Sequence, residues 1–242
     1  MNTRLLKEKI VIHIAEAIFN YDARKQFNKF IKPNDKILDV GALTSPFTKG
    51  MNNQVTAIDI LPEDNEFGFS KNTLTKLKNR PNIKSIIMDA QKMEFDDNQF
   101  DIVILTEVLE HIPDDKLAAK EIIRVLKPGG YLFLTVPNLD RVPLEHGIKE
   151  HYRHYKKDDL LQLFGSENII LLKDRFKFSE FIWGSYFIGR YNISKRKLLL
   201  LFLPLESILK ILLVKIWLPI SEKIFPNKPG YNLLMVMQKK SS

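Results

Sequence analysis

Two short apolar runs, Ile37-Leu-Asp-Val40 and Val55-Thr-Ala-Ile-Asp-Ile60, flank a glycine at 41 and a Thr44-Ser45-Pro46 cluster. The runs read as strands. The cluster reads as a helix start, since Thr and Ser oxygens satisfy the first free N–H groups and proline lacks one where none is needed. Strand, glycine turn, helix and strand make a nucleotide-binding βαβ unit. Asp59, at the end of the second strand, is placed to accept both ribose hydroxyls.

What the unit lacks narrows what it binds. A dinucleotide fingerprint needs G-x-G-x-x-G so that backbone can approach a pyrophosphate, yet only Gly41 is present and Leu43 stands at the second glycine. That counts against NAD and FAD. It counts less against a ligand with ribose and adenine but no phosphate. No G-x-x-x-x-G-K-[ST] loop occurs either.

Four later segments extend the pattern: Ile86-Ile-Met-Asp-Ala90, Phe100-Asp-Ile-Val-Ile-Leu-Thr-Glu-Val-Leu-Glu-His-Ile-Pro113, Leu126-Lys-Pro-Gly-Gly-Tyr-Leu-Phe-Leu-Thr-Val-Pro-Asn138 and His151-Tyr-Arg-His-Tyr155. With 36–60 they form five segments in order, and together the chain resembles the class I S-adenosylmethionine-dependent methyltransferases. The similarity covers roughly residues 30–178 and a last strand near 231–238. It implies a doubly wound, seven-stranded, mainly parallel α/β sheet of Rossmann-like type with S-adenosyl-L-methionine as cofactor. It also implies cofactor contacts from Asp39, Gly41, Asp59, Asp89, Ala90 and Thr106, with Asp89 on the adenine amino group and Ala90 giving a backbone contact.

Composition adds limits. The chain has no cysteine, which removes disulfides, thiolate nucleophiles and Cys-based zinc sites. Lys7, Glu8 and Lys9 interrupt any signal-peptide core, so a cytoplasmic location is expected. A net charge of +8 favours anionic surroundings, such as nucleic acid, anionic lipid or an acidic substrate, as much as it suits a lysine-rich solvated surface. No basic-aromatic RNA module or base-flipping motif supports nucleic acid, and none is expected as a partner.

Along the chain, 1–32 reads as a helical cap, with Leu6, Ile10, Ile14 and Ala17 at helical spacing and His13 inside the stripe as a structural histidine. Residues 33–178 form the core: strands at 37–40, 55–60, 83–88, 100–105, 131–136 and 169–178. A weak helix is expected at 71–79, and another from Pro113-Asp-Asp115 to about Leu126, stopped by Pro128-Gly-Gly130. Lys156-Lys-Asp-Asp-Leu160 reads as a further helix start. Residues 230–242 supply an antiparallel last strand and tail.

Four of the five histidines, 111, 146, 151 and 154, follow the fourth and fifth strands, on the edge where open α/β sheets bind ligands. A sulfonium methyl is already electrophilic, so a hydroxyl acceptor needs mainly alignment and loss of its proton, for which imidazole has a suitable pKa. His111, His151 and His154 are the candidate bases, with Arg153 and Tyr155 orienting the substrate; the alternative is that 151–155 only packs a loop. Glu107, Glu110 and His111 fall at i, i+3 and i+4, so one helical turn would bring them together. Some quinone-biosynthesis O-methyltransferases that this stretch resembles hold a divalent metal there, whereas many relatives use Glu-His as hydrogen-bonding structure. We assign no metal.

Residues 179–229 are extra to the core. Glu206, Lys210 and Lys215 break every long apolar run, so the roughly 20 apolar residues of a membrane span are missing. Two shorter helices broken near Pro204, flanked by Lys and Arg and carrying Trp183 and Trp217, suit a peripheral contact through 181–220 with the inner membrane face. A subdomain packed on the core, or a homodimer interface, is the alternative. The chain thus reads as a methyltransferase acting on a small-molecule, lipid or lipid-linked glycan acceptor, with oxygen as the expected atom. A degenerate fold serving as a membrane-associated scaffold is the second reading.

Overall fold

The computed structural model describes residues 23–42, 51–60, 81–140, 151–177 and 232–241. Of the two units into which the chain divides, the one described below is Arg24–Arg175 with Asn232–Ser242. Most of the expected cap, the 181–220 segment, the 71–79 helix, and Leu43 with the helix start at Thr44 lie outside the described residues, as do His13 and His146.

Seven strands form one sheet in the order β3-β2-β1-β4-β5-β7-β6: β1 Ile37–Val40, β2 Val55–Asp59, β3 Ile83–Ile87, β4 Phe100–Thr106, β5 Leu126–Pro137, β6 Ile169–Lys177 and β7 Asn232–Lys239. β1 runs parallel to β2 and β4, β2 to β3, and β4 to β5, while β7 is antiparallel to β5. This is the expected mainly parallel sheet. Continuous apolar runs suit strands covered on both faces, and β1 is buried along its whole length while β4 is buried except at Asp101. Phe27, before β1, stacks on Phe133 of β5 with ring centroids 4.5 Å apart.

Helix α1, Asp115–Val125, starts on Asp114, whose carboxylate accepts from Leu117 N–H at 3.0 Å. Its buried face is Ala118, Ala119, Ile122 and Val125. Lys239 Nζ donates to the Ile123 and Leu126 carbonyls, each at 2.7 Å, closing the helix end from the last strand. Helix α2 is Lys157–Leu163.

The start of β5 departs from expectation. Pro128-Gly-Gly130 was expected as a gap between helix and strand, but the strand begins at Leu126. The pairing with β4 skips from Phe100↔Leu126 to Ile102↔Tyr131, so the three residues are absorbed as an irregularity. A bulge is where a strand tolerates proline and a left-handed residue, and Gly129 has φ 75°.

Candidate active site

The sheet reverses direction of growth between β1 and β4, and the crevice beyond such a point is where open α/β sheets take their ligands. Gly41 follows β1 with φ 70°, its N–H donating to the Ile58 carbonyl at 2.9 Å. A Cβ there would sit 2.2 Å from Val108 Cγ2, just beyond β4. Glycine is therefore required twice over: for its backbone angle and because Val108 fills the space. Asp39 is fully buried in β1, Thr106 is 4% exposed at the tip of β4, and Asp59 is half-buried at the end of β2.

Asp59 and Asp89 stand on neighbouring strand ends, with the Met88 N–H donating to the Asp59 carbonyl at 3.0 Å. Asp89 is exposed, and its carboxylate accepts from the Gln91 backbone N–H at 2.8 Å and from the Gln91 amide. Gln91 in turn accepts from Asp114 N–H, tying this loop to the start of α1. Ala90 beside it is buried. A glycine-floored crevice, two carboxylates on adjacent tips and a buried third acid suit an adenosine-bearing cation. The residues present fit S-adenosylmethionine.

Beyond β4 the chain does not form the helical turn expected from the Glu107, Glu110, His111 spacing. Glu107 takes φ 53°, and only Leu109–His111 coils, as a single 3₁₀ turn. Glu107 Oε2 accepts from Asn232 Nδ2 at 2.6 Å, which turns that carboxylate toward β7. The donor atoms that do converge are those of Glu110, His111 and His151, all within 4.8 Å of one another. The His111 and His151 rings are stacked, with centroids 4.8 Å apart and planes at 17°. Donors at that spacing are close enough to share an ion, and no metal is assigned to them.

The 151–155 loop brings the three candidate bases into one row. His154 meets His151 edge-on, with centroids 4.8 Å apart, and is 7% exposed, whereas His111 is exposed. The loop is fastened to 109–115 along its length. Tyr152 N–H donates to the Glu110 carbonyl at 2.9 Å, and Arg153 donates to the Pro113 carbonyl and pairs with Asp115 at 3.0 Å. The Tyr155 hydroxyl lies 3.2 Å from the Leu109 carbonyl and 3.1 Å from an Asp115 oxygen. The polar groups of Arg153 and Tyr155 are thus engaged within the protein. Burial, then the Asp115 charge, holds the Tyr155 phenol far above its usual pKa.

Burial, followed by the charges of His111 and His154, pulls His151 down from 6.5 to about 4. Glu110 is 2% exposed, and burial together with the Glu107 carboxylate pushes it well above the usual range. Glu110 Oε1 and His151 Nε2 are 4.0 Å apart. His151 is neutral at neutral pH, so this contact is not an ion pair.

Residues 38–134 match the family model for a methyltransferase domain. Demethylmenaquinone methyltransferases are similar in sequence: that of Staphylococcus carnosus (strain TM300) is 35% identical over 141 residues, 56% of this chain and 55% of that protein. That of Staphylococcus haemolyticus (strain JCSC1435) is 31% identical over 156 residues, 58% and 60% respectively. The chain therefore spans little more than half the length of the curated relatives it matches. In fold it is similar to an S-adenosylmethionine-dependent methyltransferase from Methanosarcina mazei, with TM-score 0.56, 17% identity, and 89% and 97% of the two chains covered. Phosphoethanolamine N-methyltransferase 2 of Haemonchus contortus, solved with S-adenosyl-L-methionine, gives TM-score 0.59 at 19% identity, over 96% and 57%. The sheet order, the glycine turn at its reversal and the match over 38–134 agree: this part of the chain is similar to a methyltransferase domain, and its fold is that of the solved S-adenosylmethionine-dependent methyltransferases.

Proposed function

We propose that the protein transfers the methyl group of S-adenosylmethionine to a small, apolar acceptor of quinol type, at a hydroxyl oxygen. The observation that carries the reading is the row His111, His151, His154, which collects three proton acceptors past the tips of β4 and β5. The relatives' name, demethylmenaquinone methyltransferase, supports a quinone-type ring as the acceptor but not the choice of oxygen, since that compound gains its methyl on ring carbon.

Bound S-adenosylmethionine supplies a methyl carbon already activated for displacement by its positive sulfur. Asp59 holds the ribose, Asp39 and Gly41 shape the floor beneath the methionine part, and Asp89, Ala90 and Thr106 line the crevice. His151, neutral at physiological pH, takes the proton of the acceptor hydroxyl, so the oxygen attacks with its full electron density. The chain's remaining task is alignment, which the fastened 151–155 loop serves by holding the imidazoles at fixed distances from β4.

Isothermal titration with S-adenosylhomocysteine tests the cofactor half. We expect micromolar binding, weakened about 10- to 100-fold by Asp59→Ala, since hydrogen bonds to a charged group are worth about 1.5–3 kcal/mol. Absence of binding near millimolar would favour the scaffold reading. Incubation with methyl-labelled S-adenosylmethionine and reduced demethylmenaquinone or catechol-type quinols tests the acceptor half. Label recovered as an ether supports oxygen, and label on ring carbon overturns it.

A further inference from the structure

The Asp89 carboxylate is exposed just past the tip of β3, yet it is not loose. Every hydrogen bond described for it comes from Gln91. The Gln91 backbone N–H donates to Oδ1 at 2.8 Å, and its Nε2 lies 3.1 Å from Oδ1 and 3.0 Å from Oδ2. The far side of the same amide is held as well, since Gln91 Oε1 accepts from the Asp114 N–H at 3.0 Å. A carboxylate on one side only accepts and a backbone N–H on the other only donates, so the amide faces one way. Asp114 caps helix α1 through Leu117, and the Met93 N–H donates to Glu121 of that helix at 2.8 Å. The loop is thus pinned to one rigid element at both Gln91 and Met93, and Gln91 passes that rigidity on to Asp89.

We propose that Gln91 is the positioning residue for adenine recognition: it fixes the Asp89 carboxylate so that it accepts from the 6-amino group of the methyl donor. The inference rests on the S-adenosylmethionine reading above and on Asp89 meeting the adenine. A carboxylate offers about four acceptor sites. Gln91 occupies two on Oδ1 and one on Oδ2, which leaves one acceptor of set direction on Oδ2. A free carboxylate on an exposed loop would lose side-chain freedom each time a ligand bound. Here folding has already removed that freedom, so the base meets an acceptor arranged in advance. Ala90, buried between the two residues, keeps the turn that brings Gln91 back onto Asp89 against the protein.

The test compares two ligands by isothermal titration of the full chain: S-adenosylhomocysteine and its 6-deamino analogue, in which purine replaces adenine. The wild type should prefer the first by about 10-fold or more, the usual effect of one hydrogen bond to a charged group. Gln91→Met keeps the length of the side chain and removes the amide. In it the preference should fall to about threefold or less, with the affinity for the analogue unchanged. Asp89→Ala removes the acceptor itself and should erase the preference. Equal weakening of both ligands in Gln91→Met marks a merely structural role and overturns the proposal. A preference lost in Asp89→Ala but kept in Gln91→Met overturns it and leaves the adenine reading standing. A preference that survives Asp89→Ala, or a wild type that binds neither ligand or both alike, overturns that reading and the proposal with it.

Discussion

Asn232, the first residue of β7, donates its side-chain N–H to Glu107 at 2.6 Å across a sequence separation of 125 residues. The last strand of the sheet thereby sets the direction of a carboxylate at the edge of the reacting zone. Asn232→Ala should destabilise the protein by about 1–3 kcal/mol, the usual effect of stripping a partner from a partly buried charged acceptor. Asn232→Asp should cost more, because it sets a like charge against Glu107. Urea unfolding of both variants checks the order.

Gly41→Ala is expected to be severe. A left-handed backbone costs a residue with a Cβ about 1–2 kcal/mol, and the added carbon would lie 2.2 Å from Val108. Chemical denaturation should show both penalties, and titration calorimetry should show loss of S-adenosylhomocysteine binding. Adding Val108→Ala removes the clash alone, so it should recover only part of the stability.

His151 gives a pH dependence with a defined sign. Its folded pKa of about 4 lies below the ordinary 6.5, so the unfolded chain takes up a proton that the folded protein declines. The stability it contributes is complete above 6.5 and is lost as pH falls toward 4. Glu110 acts in the opposite sense: raised above 4.5, it contributes fully below that value and loses its contribution as pH rises through its folded pKa. Unfolding midpoints measured against pH should show a shallower acid-side slope in His151→Asn and a shallower alkaline-side slope in Glu110→Gln.

Tyr155→Phe removes the hydroxyl shared between Leu109 and Asp115 and should cost about 1 kcal/mol. It should also loosen the 151–155 loop, seen as faster amide exchange at Tyr152. Unchanged exchange would mean that the Arg153–Asp115 pair alone holds the loop.

The sheet was legible in the chain because β1, β4 and β7 are buried along most of their length and are mostly apolar, which leaves a mark in composition. The glycine at 41 was legible for a similar reason: its turn has a backbone requirement that few residues meet. The start of β5 was obscured because proline and paired glycines signal a break, and only the partner strand reveals that they form a bulge. Glu107 misled for a different reason. Helical spacing implies convergence only if the turn is made; Glu107 instead takes φ 53° and its carboxylate meets Asn232, a residue that no local pattern could have brought there. The Glu110–His151 meeting was hidden in the same way, since the two are joined by backbone contacts between distant segments.

The contact between position 41 and Val108 has a kinetic corollary. Val108 sits two residues before Glu110 and three before His111, so the glycine turn at 41 and the head of the histidine row hang from one short, tightly packed span. Substitutions chosen to retune donor recognition at that floor will therefore also disturb turnover, and Michaelis constants for the two substrates should drift together across such a series.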